Sequence, residues 1–383
     1  MANPLIIIGT GLAGYNLARE WRKLDTESPL VMVTQDDGAF YSKPMLSNAL
    51  AKNKTPEELP MGSVEKMTAD LNAQILTNTS VTTIDNTSKS VSLSDGQTLC
   101  YSSLVLALGA SAIVFPMQGD AVDTVFTVND LSAYGEFRQA IVNKKHITIL
   151  GPGLIGCEFA NDLLHAGYQV SIVGPSALPL DRLLPQAAST AVQSALTSAG
   201  VDWQLGTTCR AIDHHNGRLQ LRLETGDQLE TDVVLSAVGL KPNTDLALQA
   251  GISVNRAIVV DRYLRTNLDN VYALGDCAEV NGLVLPYVTP LMNSARSLAK
   301  TLCGDETQVS YPAMPVIVKT PAHPVVVSPP AIDQKGEWRI EENTDGVMAC
   351  FYAEDERLLG FALTGRRISE KQRLSKLVPP VLT

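Results

Sequence analysis

The chain has 383 residues, of which 45% are hydrophobic and 18% charged, with a net charge of −10. That length exceeds one ordinary core and predicts two or three globular units. The acidic balance argues against nucleic acid as a partner, because phosphate binding needs clustered Lys and Arg. No apolar run approaches the ~18 residues that a membrane-spanning helix needs, so no membrane insertion is expected.

The first apolar run, Leu5-Ile6-Ile7-Ile8, leads straight into Gly9-Thr10-Gly11-Leu12-Ala13-Gly14. It therefore reads as a first strand and not as a secretory leader. Strand, G-x-G-x-x-G, helix is the confirming context for a dinucleotide turn. The glycines permit a tight turn and let the backbone approach a pyrophosphate, which rests on the positive end of the following helix. Leu30–Thr34 reads as a second buried strand. An acid about 20 residues beyond the glycines should receive the ribose hydroxyls. Asp36, or its neighbour Asp37, fits; one of the pair is equally well a solvated loop acid. Residues 36–60 form a long polar segment rich in Lys, Pro and Ser, and loops of that length are more often functional than not. Leu104 to Ala110 is another buried strand, running through Ala107 to Gly109.

The pattern restarts at His146. Ile147-Thr148-Ile149-Leu150 precedes Gly151-Pro152-Gly153-Leu154-Ile155-Gly156, a second strand-turn-helix signature. Glu158 is expected on the first turn of that helix, where the dipole favours a carboxylate whatever its role. After Val170 to Val173 the usual ribose acid is missing, and Gly174-Pro175-Ser176 stands in its place. No arginine follows at once to hold a 2′-phosphate, so the pattern leans towards NADH over NADPH. Val233 to Gly239 repeats the 104–110 pattern, which suggests an internal duplication.

In Thr266 to Ala278 an apolar strand delivers Gly275-Asp276 to its end. A buried acid there needs a hydrogen-bond partner, and a ribityl hydroxyl would supply one. Pro290 reads as the first position of a helix, a common start signal. Free N–H groups there would suit the pyrimidine edge of a flavin, although an ordinary helix start fits equally well. Residues 314–383 change texture, rich first in Pro and Val and then in Arg and Lys, and read as a small third domain. The six cysteines (Cys100, Cys157, Cys209, Cys277, Cys303 and Cys350) form no C-x-x-C and read as buried residues of a reduced, cytoplasmic protein. The five histidines show no ligand spacing, so no metal is expected. Two dinucleotide turns and a Gly-Asp pair after an apolar strand suggest two cofactors face to face, as hydride transfer from a nicotinamide to a flavin requires.

GTGLAG, LALGA, GPGLIGCEFA, SAVGLKPN and VYALGDCAEV, in that order, resemble the two-dinucleotide-fold flavoprotein reductases of the pyridine nucleotide-disulphide oxidoreductase superfamily. The likeness covers essentially the whole chain, in the branch without redox-active cysteines. It implies an α/β fold with two Rossmann-like domains, FAD-binding (1–110 and 241–313) and NAD-binding (111–240), plus a small α+β C-terminal domain (314–383). It implies FAD contacts from Gly9, Gly11, Leu12, Ala13, Gly14, Asp36, Lys43, Pro44, Val81, Ala107, Gly109, Gly275, Asp276, Pro290 and Lys319. It implies NADH contacts from Gly151, Gly153, Ile155, Gly156, Glu158 and Gly239. Lys43 and Glu158 would pair beside the flavin edge as catalytic residues. FYSKPMLS, YVTPLMNSARSLAKTL and MPVIVKTPAHPVVVSPP look most like the members that deliver electrons to rubredoxin, in alkane oxidation or oxidative stress. Ferredoxin reductases of aromatic dioxygenases, flavorubredoxin reductases and NADH oxidases remain the alternatives. Docking of rubredoxin, an acidic family, is expected around Lys319 to Pro324, near the flavin and helped by Lys43.

Overall fold

In the computed structural model, which describes residues 3–331 and 333–383, two five-stranded parallel sheets share one plan. The first orders its strands Val271–Ala273, Ser103–Leu106, Leu5–Ile8, Leu30–Val33 and Gln74–Leu76. The second orders Phe126–Thr127, Val233–Ser236, His146–Leu150, Gln169–Gly174 and Val201–Leu205. Leu5–Ile8 and Leu30–Val33 are buried along their whole length. Such unbroken apolar runs belong to parallel sheets covered on both faces. Ile8 lies opposite Val33 and Leu106, and Leu150 opposite Val173 and Ser236. Each glycine turn therefore leaves the carboxyl end of a central strand, where open α/β sheets bind ligands.

The duplication extends to a three-stranded antiparallel meander in each half, Val81–Cys100 in the first and Cys209–Thr231 in the second. The halves differ in their outermost strand. In the first it comes from Val271–Ala273, late in the chain, and this return carries Gly275-Asp276 to the first glycine turn. The two crossings between halves, Ala110–Ala112 and Leu240–Pro242, pair with each other antiparallel. The strands expected over 104–110 and 233–239 stop at Leu106 and Ser236. Gly109 (φ +66°) and Gly239 (φ +127°) adopt backbone that a strand cannot continue.

The third sheet is antiparallel, in the order Val316–Val318, Val325–Ser328, Leu358–Thr364, Gly346–Tyr352 and Glu337–Asn343, and a short helix, Lys371–Ser375, follows it. Asp345-Gly346 turns between two of its neighbouring strands, whereas Asp333 to Gly336 leads into the edge strand Glu337–Asn343. One face of this sheet shares a core with the second half: Val325, Val327 and Ala349 cluster with Val192 and Leu196. Burying each valine or leucine among them contributes about 1.5–3 kcal/mol, so the third sheet is fixed to the helix Gln186–Ala199 beneath it. Leu46, Ala49 and Leu59 of the long polar segment join the same core. That segment is ordered into 3-10 turns at Lys43–Asn48 and Pro56–Glu58. No described helix is long and apolar enough to cross a membrane.

Candidate active site

The two glycine turns are near copies. Gly9 and Gly151 have φ of +109° and +114°. A Cβ on Gly14 would lie 1.9 Å from the Gly9 carbonyl oxygen, and one on Gly156 would lie 1.9 Å from that of Gly151. Each helix therefore packs against its own turn at a distance no side chain permits. Over Gly11 and Gly153 the situation is opposite: a Cβ would meet nothing within 4 Å. The helices Leu12–Arg22 and Leu154–His165 begin there without a side-chain cap and without an acid in the first turn. Unpartnered N–H groups facing open space form an anion cradle, and the residues fit a pyrophosphate at both turns.

Around the first turn the Asp36 carboxylate accepts from Thr34 Oγ1 at 2.6 Å, from Gly38 N–H at 3.0 Å and from Thr10 Oγ1, within the turn itself, at 3.2 Å. Asp37 instead accepts from Ala39 N–H, so Asp36 is the acid of the pair that faces the turn. Val81 opens the first meander, two residues after Thr79, whose N–H donates to Thr34. Ala107 lies under Gly9, 2.3 Å from a Cβ built there. Gly275 has φ +80°, and its Cβ would come within 2.8 Å of the Ala13 methyl; the returning strand thus closes on the first helix. Asp276 follows it, partly buried, and no group among the described residues hydrogen-bonds its carboxylate. Burial raises its pKa, and the Lys43 charge opposes that rise. An acid so placed fits a hydroxyl-bearing ligand. On the second turn Ile155 is exposed, and Gly239 lies against Ile113.

Lys43 and Glu158 do not pair. Glu158 is 1% exposed and bonds Lys319: Nζ donates to Oε2 at 2.6 Å, and the Lys319 backbone N–H donates to Oε1 at 2.8 Å. Ser47 Oγ also donates to Oε2 at 2.6 Å, and Lys319 Nζ reaches Ser47 Oγ and the Pro44 carbonyl. Lys319 therefore points inward, away from the protein-docking role expected of it, because a buried carboxylate requires a cation beside it. Glu158 is the fifth residue of its helix, beyond the first turn, so the helix dipole does not account for it. Lys43 instead donates to Asn129 Oδ1 at 3.3 Å. Burial lowers its pKa, and the field of Asp276 opposes that shift. Pro290 is the third residue of the helix Val288–Leu302, not the first; proline is tolerated there because no first-turn N–H has a partner within the helix.

The family model described as pyridine nucleotide-disulphide oxidoreductase matches residues 3–298. The chain belongs to that family. A second model, the rubredoxin binding C-terminal domain, matches residues 308–378. The chain is 52% identical to the rubredoxin-NAD(+) reductase of Alcanivorax borkumensis over 99% of this chain and 100% of the other. It is 47% identical to that of Acinetobacter baylyi, over 99% of both. Among solved structures, the covalent putidaredoxin reductase–putidaredoxin complex superposes with a TM-score of 0.88 at 26% identity, covering 99% of this chain and 94% of that one.

Within this oxidoreductase family the disulphide of the name has no counterpart here, since all six cysteines are unpaired; Cys100 and Cys303 are exposed, against the expectation that all six are buried. Burial pushes the thiols of Cys157 and Cys277 up to about 12. Neither is a thiolate at neutral pH, so neither is poised for peroxide or disulphide chemistry.

Residues not singled out in the sequence brace the site. The Asp162 carboxylate accepts from the N–H groups of Leu50 and Ala51 at 3.1 and 2.8 Å, and Asn161 Oδ1 accepts from Ala322 N–H at 3.0 Å. With Glu158 they form one buried polar stripe on the helix that opens the second glycine turn. That stripe ties down both the Lys43 segment and the third sheet. The signal was present: three polar residues at helical spacing, 158, 161 and 162, in the otherwise apolar GLIGCEFANDLL.

Proposed function

We propose that this chain is an NADH-dependent flavoprotein reductase with rubredoxin as its electron acceptor. When bound, FAD accepts a hydride from NADH and releases the two electrons singly, which an iron acceptor requires. The single observation that carries the reading is the third sheet. It matches the rubredoxin binding domain along nearly its whole length, and Lys319, from its edge, is bonded into the segment that bears Lys43.

The roles of the chain's own residues follow from their surroundings. The turn at Gly9, Gly11 and Gly14, with Leu12 and Ala13 behind it, holds the FAD pyrophosphate; Asp36 takes its ribose, Asp276 its ribityl chain, and Val81, Ala107 and Gly109 line the pocket. Gly151, Gly153, Ile155, Gly156 and Gly239 hold NADH. Lys43, whose charge acts on Asp276, stands with the adjoining Pro44 at the edge where negative charge arrives, and Pro290, in the first turn of Val288–Leu302, presents that helix start to the flavin. Glu158 and Lys319 fix the Lys43 turn from behind. The units are FAD-binding (1–110 and 241–313), NAD-binding (111–240) and rubredoxin-binding (314–383). The six unpaired cysteines suit the reducing cytoplasm.

Purified protein should be yellow and should release FAD, not FMN, on acid treatment. With NADH it should reduce rubredoxin faster than a [2Fe–2S] ferredoxin. Brisk ferredoxin reduction with none of rubredoxin would move the chain to the dioxygenase-reductase branch. Rapid oxygen consumption without any carrier would make it an oxidase.

A further inference from the structure

In the first half the ribose acid has a clear place. Gly9 N–H donates to Val33, and three residues past Val33 stands Asp36, bonded to Thr10 of the turn. In the second half Gly151 N–H donates to Val173 in the same way, and three residues past Val173 stands Ser176. The last position of the strand, Gly174, is closed to any side chain. A Cβ on Gly174 would fall 2.1 Å from Cδ and 2.6 Å from Cγ of Pro152, the residue that replaces Thr10 in the second turn. Pro152 and Gly174 are thus a matched pair: the proline ring occupies the space in which a strand-end acid would begin.

The chain restores a carboxylate by another route. Residues 175–184 fold back over the turn, and Leu180 N–H donates to the Pro152 carbonyl at 3.0 Å. Leu180 is 3% exposed and holds φ +59°, an uncommon conformation for leucine. Its burial pins the loop to the glycine turn and leaves the next residue, Asp181, exposed above it. Ser176 Oγ donates to Asp181 Oδ1 at 3.0 Å. The hydroxyl at the Asp36-equivalent position therefore holds a carboxylate brought from five residues away. Oδ2 of Asp181 has no partner among the described residues.

We propose that Asp181, held by Ser176, is the acid that receives the adenosine ribose hydroxyls of NADH and excludes a 2′-phosphate. This rests on the NADH-binding reading of the second turn. A free carboxylate oxygen accepts from a vicinal diol; a 2′-phosphate in the same place would meet a like charge. Arg182 is the neighbouring exposed cation and the competing determinant, since it would reward that phosphate. The Ser176 bond selects Asp181 as the residue turned to the strand end.

Calorimetric titration of the FAD-loaded protein with ADP-ribose and with 2′-phospho-ADP-ribose tests this without turnover. The wild type should favour ADP-ribose. Asp181→Ala should weaken ADP-ribose by about tenfold, the loss of one charge-assisted hydrogen bond, with flavin content and melting temperature unchanged. Asp181→Asn, which keeps the shape and the Ser176 contact, should raise affinity for the 2′-phospho ligand. Unchanged selectivity in both variants, with ADP-ribose still bound, would overturn the assignment and leave NADH binding intact. A wild-type preference for the 2′-phospho ligand would give the role to Arg182. Failure of either ligand to bind would overturn the nucleotide reading itself.

Discussion

Lys319→Glu is expected to depress reduction of rubredoxin and of ferricyanide to the same degree. Lys319 is the cation bonded to Glu158, which is 1% exposed. Replacing it with a carboxylate sets two negative charges together in a buried place. Breaking a buried ion pair costs about 3–5 kcal/mol, so the melting temperature should fall as well. The loss is general because Lys319 Nζ also bonds Pro44 and Ser47, within the turn that carries Lys43. Should the reversal not fold, the double change Glu158→Gln with Lys319→Met removes both charges and should recover most of the stability. A selective loss with rubredoxin, ferricyanide reduction remaining normal, would show that Lys319 serves the docked protein after all.

Lys43→Ala is expected to slow reduction of the bound flavin by NADH by about 10²-fold, the scale for removing one preorganised charge at a reacting edge, while FAD content stays normal. Lys43 is partly buried, lies in the field of Asp276 and donates to Asn129. Burial holds its pKa below the ordinary lysine value. The charged form is the active one, so the wild-type rate should fall as pH rises through that lowered pKa. Stopped-flow traces of Lys43→Ala should lack this alkaline limb. Wild-type rates in the variant would show that Lys43 takes no part in flavin reduction.

The glycine turns were legible because their chemistry is local. At Gly14 and Gly156 no side chain fits, at Gly9 and Gly151 the backbone is left-handed, and a short apolar run announces each strand. The Gly275-Asp276 pair was legible for a similar reason: an acid flanked by apolar residues advertises its own burial. The partner of Glu158 was not legible. Lys43 and Lys319 are both single cations in proline-bearing loops, and Lys319 lies 161 residues from Glu158 along the chain. Only the packing of the third sheet on the second half chooses between them. The place of Pro290 escaped for a subtler reason: proline favours the first helical position, but every first-turn position lacks an intrahelical N–H partner and so also tolerates it. The missing acid after Val173 was visible as an absence, but its cause, the Pro152 ring against Gly174, is a contact between residues that only the folded sheet brings together.

One anaerobic experiment with the purified protein follows the electrons from NADH to rubredoxin directly. One equivalent of NADH should bleach the flavin absorbance fully, and two equivalents of oxidised rubredoxin, added next, should restore it within the mixing time while the rubredoxin itself is reduced. Flavin that bleaches with NADH and stays bleached in the presence of rubredoxin would contradict the proposed path.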